Sequence, residues 1–177
     1  MTLANKIAVV TGASRGIGRA IAVALSKDGA DVAVNYVRDA IGAKETAVAV
    51  EAVGRRSLLV QADVGRREQV EAMVARVLQH FGRIDILVCN AGVLTRTPFL
   101  ELTDEQWEKV VTTNLTGPFL VGQTVARQMV KQGGGKIINV SSEVATRALP
   151  NLSHYCASTG GLRQLTKAMA LELAPYG

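Results

Sequence analysis

Thr11-Gly12-Ala13-Ser14-Arg15-Gly16-Ile17-Gly18 joins an apolar run, Ile7–Thr11, to a stripe of Ile17, Ala20, Ile21, Ala24 and Leu25 at helical spacing. A strand that turns through small residues directly into a helix is suited to phosphate. Glycines let the backbone approach a pyrophosphate and tolerate positive φ, and the helix N-terminus offers free N–H groups with a partial positive charge. Gly12, Ser14, Arg15, Gly16, Ile17 and Gly18 are therefore candidate contacts to a dinucleotide. The spacing is Gly-x-x-x-Gly-x-Gly, not the generic Gly-x-Gly-x-x-Gly. No Gly-Lys-Ser/Thr follows, which excludes a Walker A loop.

Further along, short apolar runs rich in β-branched residues recur at Val32–Tyr36, Leu58–Gln61, Ile84–Cys89 and Lys136–Val140. They are apolar on consecutive positions, as strands are when both faces are covered. Helical patterns lie between them. Val70, Met73, Val74, Val77, Leu78 and Phe81 form the clearest stripe. Alternating strands and helices predict an α/β fold, a Rossmann-type doubly wound parallel sheet in the order 3-2-1-4-5. Residues 1–177 read as one nucleotide-binding domain without repeats, linkers or low-complexity tracts. The last helical pattern, His154 to Leu173, is followed only by Ala174-Pro175-Tyr176-Gly177. A sixth strand would be needed to cover Ile137, Ile138 and Val140, so further C-terminal strands are expected to be missing from this sequence.

Composition narrows the function. Of 177 residues, 48% are hydrophobic and only 4% aromatic, a mix suited to helices packed on a sheet. The formal charge of +5 comes from scattered basic residues with no interleaved aromatics, a poor footprint for nucleic acid. It does suit an anionic cofactor. No apolar run reaches the ~18–20 residues of a membrane span, and the start of the chain does not read as a signal peptide. Cys89 and Cys156 read as buried free thiols, and the expected compartment is the cytoplasm. No His, Cys or carboxylate cluster has metal-ligand spacing, so no metal is expected.

Six motifs in order make the chain similar to the classical short-chain dehydrogenase/reductase family, especially 3-oxoacyl-carrier-protein reductases and bacterial glucose 1-dehydrogenases. They are Thr11–Gly18, Ala62-Asp63-Val64, Asn90-Ala91-Gly92, Asn114-Leu115-Thr116-Gly117, Asn139-Val140-Ser141-Ser142, and Tyr155. The resemblance implies hydride transfer between a nicotinamide dinucleotide and a small carbonyl or alcohol, usually in a homo-oligomer. It implies that Asp63 and Val64 hold the adenine, and that Asn90, Ala91 and Gly92 lie at the neighbouring ribose. At the end of the second strand an acid favours NAD, whereas a nearby Arg accommodates the extra phosphate of NADP. Here Asn35 and Tyr36 occupy that end, with Arg38 just beyond. Asp39 reads equally well as a helix cap. With Arg15 and Arg38 available, NADP(H) is preferred and NAD(H) remains possible.

By the same resemblance Tyr155 moves the proton, Ser142 steadies the substrate oxygen, and Asn114 completes the catalytic set. Ser141 is the alternative to Ser142. Pro118 cannot donate to the Asn114 carbonyl, leaving either a free acceptor or a simple kink near Gly117. His154 reads as a capping or substrate-rim residue, His80 as a cation at a helix C-terminus, and Trp107 as packing its own helix. The departure is Thr159. The family carries a lysine four residues after the tyrosine, on the same helix face. An ordinary tyrosine hydroxyl ionises only near pH ~10, so a neighbouring cation matters. Thr159 supplies none; it can replace the lysine's bond to the nicotinamide ribose only in part. Arg163 is a poor substitute, and Lys167 is roughly 18 Å along the helix at ~1.5 Å per residue. The expectation is an oxidoreductase whose turnover is reduced; the alternative is a dinucleotide-binding pseudoenzyme or fragment.

Overall fold

The computed structural model describes residues 2–177. Strands β1 (Ile7–Val10), β2 (Asp31–Tyr36), β3 (Ser57–Gln61), β4 (Ile86–Cys89) and β5 (Lys136–Asn139) form one parallel sheet in the order β3-β2-β1-β4-β5. Helices α1 (Gly16–Lys27), α2 (Ala40–Glu51), α3 (Arg67–Phe81), α4 (Asp104–Val111), α5 (Gly117–Gln132) and α6 (Ser153–Leu173) alternate with the strands. The strand order and the alternation are those the sequence predicts.

Each central strand serves two cores, because successive side chains point to opposite faces. Ile7, Val9, Ala33 and Leu87 face α3 and α5, packing on Val70, Met73, Val77, Val121 and Val125. Ala8, Val10, Val32, Val34 and Val88 face α1 and α2, packing on Ala22, Ala43 and Val50. Each fully buried Val or Leu contributes about 1.5–3 kcal/mol. The two cores hold the sheet rigid beneath its C-terminal edge, where the candidate site lies.

The opposite, N-terminal edge is pinned by ion pairs. Asp31 is gripped by Arg55 and Arg56, each at 2.7 Å. Asp85 accepts from the Ile7 N–H at 2.9 Å and pairs with Arg83 at 2.7 Å and Lys6 at 3.5 Å. Burial pushes both carboxyls up, but the hydrogen bonds and positive neighbours outweigh it and hold both below the ordinary value.

Two sequence expectations change, those for the inward face of α1 and for Cys156. The inward face of α1 is Gly18, Ala22 and Ser26, while Ile17 is 65% exposed. The helix lies so close to the loop that only small residues fit beneath it. Cys89 is buried, and burial pushes its thiol up to about 12, but Cys156 is only half-buried. Trp107 on α4 is 38% exposed, with the rest of its surface covered. The edge strands β3 and β5 are half-covered, and Ile138 at 50% exposure agrees with the uncovered apolar edge expected there.

Candidate active site

The loop after β1 is fastened from four sides. The Thr11 hydroxyl accepts from the N–H groups of Asn90 and Ala91 at 2.9 and 3.0 Å, tying the loop to the end of β4. Asn90 Nδ2 donates to the Thr11 and Gly12 carbonyls at 3.0 and 3.2 Å. Arg19 Nη2 donates to the Ser14 carbonyl at 2.6 Å and to the Gly42 carbonyl at 3.0 Å, drawing α2 against the loop. The Thr46 hydroxyl donates to the Ala13 carbonyl at 2.9 Å. Neither Arg19 nor Thr46 stood out in the sequence, because each sits on a helix outside any glycine motif.

Asn35 ties the loop from beneath. It is buried at 1% exposure, with Oδ1 accepting from the Gly12 N–H and Nδ2 donating to the Val60 and Ala62 carbonyls. Its amide holds the loop to β2 and β3 and is not presented to a ligand. Tyr36 is half-buried, while Arg15 and Arg38 are both exposed. Asp39 caps α2, accepting from the Gly42 N–H at 2.9 Å.

The loop geometry fits a pyrophosphate. A Cβ on Gly18 would lie 2.4 Å from the Gly12 carbonyl oxygen and 2.5 Å from Asn90 Nδ2, so a side chain there would prise the loop from α1. Gly16 has φ +56° with open space before it. The start of α1 has no side-chain cap and no acidic residue in its first turn, which leaves its N–H groups available to an anion. Asp63 follows β3, half-exposed, with Oδ1 accepting from the Gly65 N–H at 2.9 Å. Val64 beside it is buried against the α3–α5 core.

A cleft of about 210 Å³ continues from the loop, and its walls include Gly92, Leu94, Asn114, Ser141, Tyr155 and Thr159. Asn114 stands in a π-helical turn, Thr112–Thr116, between α4 and α5. That turn is the physical form of the irregularity expected at Pro118. The Asn114 side chain grips Val93 by both backbone groups, accepting its N–H at 2.8 Å and donating to its carbonyl at 2.9 Å. Ser141 lines the cleft and donates to the Thr159 carbonyl at 3.3 Å. Ser142 caps the short turn Glu143–Ala145, while Ser141 is among the residues that line the cleft with Tyr155.

Thr159 is buried at 3% exposure, with its hydroxyl donating back to the Tyr155 carbonyl at 2.9 Å. Among the described residues no cationic side chain lines the cleft; Arg163 and Lys167 are exposed on α6. His154 is neither cap nor rim. It is fully buried, with Nε2 2.7 Å from Thr95 Oγ1, and Leu152 is the N-cap of α6. A larger apolar hollow of about 290 Å³ lies beside β5 and shares no residue with the cleft.

The short chain dehydrogenase family pattern matches residues 6–177. Over 172 residues the chain is 43% identical to the uncharacterized oxidoreductase YohF of Escherichia coli K12, covering 97% of this chain and 68% of that protein. It is 43% identical over 177 residues to the 3-oxoacyl-[acyl-carrier-protein] reductase FabG of Staphylococcus aureus, covering 98% and 70%. The solved structure of an NAD+-bound xylitol dehydrogenase superposes with a TM-score of 0.97 at 32% identity, over 100% of this chain and 68% of that one. With its fold, phosphate loop and matched length all in agreement, the chain belongs to the short-chain dehydrogenase/reductase family of oxidoreductases.

Proposed function

We propose that this chain is an oxidoreductase that prefers NADP(H), tolerates NAD(H), and acts on a small carbonyl or alcohol. One observation carries the cofactor half: an uncapped start of α1 beside Gly16, whose outer face is open. Gly12, Gly16, Ile17 and Gly18 receive the pyrophosphate, with Ser14 and Arg15 flanking it. Asp63 and Val64 take the adenine, and Asn90, Ala91 and Gly92 take the neighbouring ribose. The preference for NADP rests on Arg15 and Arg38, both exposed, and on Asp39 being engaged as the cap of α2. The bound NAD+ of the xylitol dehydrogenase supports keeping NAD(H) as a second cofactor.

The nicotinamide supplies the hydride when bound. In the cleft Tyr155 exchanges a proton with the substrate oxygen, and a serine hydroxyl steadies that oxygen. Ser142 is the residue the motif resemblance implies, while Ser141 lines the cleft. Asn114 holds the wall at Val93. Carbonyl reduction is favoured over alcohol oxidation, because a phenol hydroxyl can donate to the substrate oxygen and Thr159 places no cation beside it. A 3-oxoacyl thioester and a polyol are the substrate classes to test first, from the names of the relatives. Residues 1–177 act as one nucleotide-binding unit, in the cytoplasm and as a homo-oligomer.

A second reading is favoured by Thr159 itself, whose hydroxyl is turned onto backbone: a binding protein with little or no turnover. Titration with NADPH and with NADH, followed by nucleotide fluorescence at fixed ionic strength, tests the cofactor claim common to both. Tighter NADPH binding is expected. Equal affinity would remove the arginine argument, and absence of both would remove the function.

A further inference from the structure

Residues 93–97 leave the C-terminal end of β4 and are held at three points. Asn114 grips Val93. His154 Nε2 lies 2.7 Å from Thr95 Oγ1. The Thr97 N–H donates to the Asn151 carbonyl at 3.0 Å, and Asn151 reaches it in left-handed backbone, φ 61°. The last two ties come from the turn and the first turn of α6, the piece of chain that carries Tyr155.

That helix start has no cap of its own. Leu152 is the N-cap, and its side chain makes no capping hydrogen bond. The entry of α6 is therefore steadied from outside. His154 is fully buried, and its Nδ1 has no partner. Near the positive end of a helix a lone pair on Nδ1 is better tolerated than a proton. The ring proton then sits on Nε2 and is donated to Thr95 Oγ1. A buried titratable side chain that the proposed proton transfer leaves unused is thus the bolt between two walls of one cleft.

We infer that His154 is a positioning residue: its bond to Thr95 locks the Gly92–Leu94 wall to the helix start bearing Tyr155, so that the nicotinamide end of the cleft is shaped only while the bond holds. The binding arm of the test rests on the nucleotide reading above; the exchange arm does not.

Thr95→Val keeps the shape of the side chain and removes the acceptor. Its affinity for NADPH is compared with that for 2′,5′-ADP, which occupies only the adenine end. NADPH should weaken about tenfold, the scale of one net hydrogen bond, with 2′,5′-ADP unchanged. Amide exchange should accelerate together over residues 93–97 and over Ser153–Cys156, but not in β1 or β2. His154→Gln, which keeps a donor, should restore more of the NADPH affinity than His154→Leu. Equal weakening of both ligands, or faster exchange confined to 93–97, overturns the inference. If the unaltered chain binds neither ligand, the nucleotide reading falls, and the exchange pattern alone decides whether the two walls are coupled.

Discussion

The two ends of the site are built to different standards. At the phosphate loop every polar tie has a purpose: Asn35, Asn90, Arg19 and Thr46 each hold a backbone carbonyl or N–H of the loop. The result is a backbone shaped in advance, with its anion-facing side open at Gly16. At the cleft, the hydroxyls of Ser141 and Thr159 point back onto α6 backbone, and no cation among the described residues lines the wall. On the proposed reading, binding a dinucleotide and turning over a substrate are separable. The loop is shaped in advance, whereas among the described residues the cleft lining holds no cation to serve the proton transfer proposed for Tyr155.

The largest expected effect comes from supplying it. Thr159→Lys places an ammonium one helical turn after Tyr155. Carbonyl reduction with NADPH should rise by about a hundredfold, the lower range for assisted proton transfer, while nucleotide affinity rises by no more than about tenfold, the scale of one regained hydrogen bond. Steady-state rates on a panel of 3-oxoacyl thioesters and small ketones read this directly. No gain would mean that the cleft is deficient in more than charge.

Gly18→Ala attacks the other end. Its Cβ would meet the Gly12 carbonyl oxygen at 2.4 Å, and backbone cannot move aside cheaply. Overpacking of this kind costs about 1–3 kcal/mol, equivalent to roughly tenfold to hundredfold in affinity if it falls on the loop. Fluorescence titration should show the loss for NADPH and NADH alike, with the melting temperature lowered as well. A variant that binds normally would show that α1 can shift without opening the loop. Arg38→Ala is a finer cut through the same region. It should weaken NADPH by several-fold and leave NADH within twofold, since an exposed charge contributes about 1 kcal/mol or less. Loss of both nucleotides to the same degree would take Arg38 away from the 2′-phosphate.

How much of this was legible in the sequence follows from range. The strand order, the loop and the stripe of α3 were readable, because each depends on local periodicity or on glycine spacing. Asn35, at the end of β2 where a cofactor contact is expected, has a structural task that the sequence does not announce. Only the paired register of β2 and β3 reveals that its amide is held by the Val60 and Ala62 carbonyls. The α1 face was misjudged for a similar reason. Hydrophobicity marks Ile17 as inward, but the close approach of Gly18 to Gly12 and Asn90 turns the helix onto its small residues. His154 and Thr95 are 59 residues apart, and nothing in either neighbourhood announces their pairing.

The smallest effect separates the site from the edge of the sheet that supports it. Asp31 and Asp85 are deprotonated in the fold more readily than in the unfolded chain, since their arginine and backbone partners outweigh burial. Carboxyls of depressed pKa stabilise the fold above their unfolded value, near pH ~3.9, and that contribution is lost as pH falls through the folded value. Between pH 7 and 5 they should therefore change stability hardly at all, and below about pH 4 the midpoint of urea unfolding should fall steeply. Arg56→Gln, which keeps a donor but removes the charge opposite Asp31, should flatten that acid limb while leaving NADPH affinity at pH 7 unchanged. An acid limb of the same slope in this variant would move the proton-linked stability away from Asp31. A change in nucleotide affinity would instead show that the N-terminal edge of the sheet and the phosphate loop are coupled through β2.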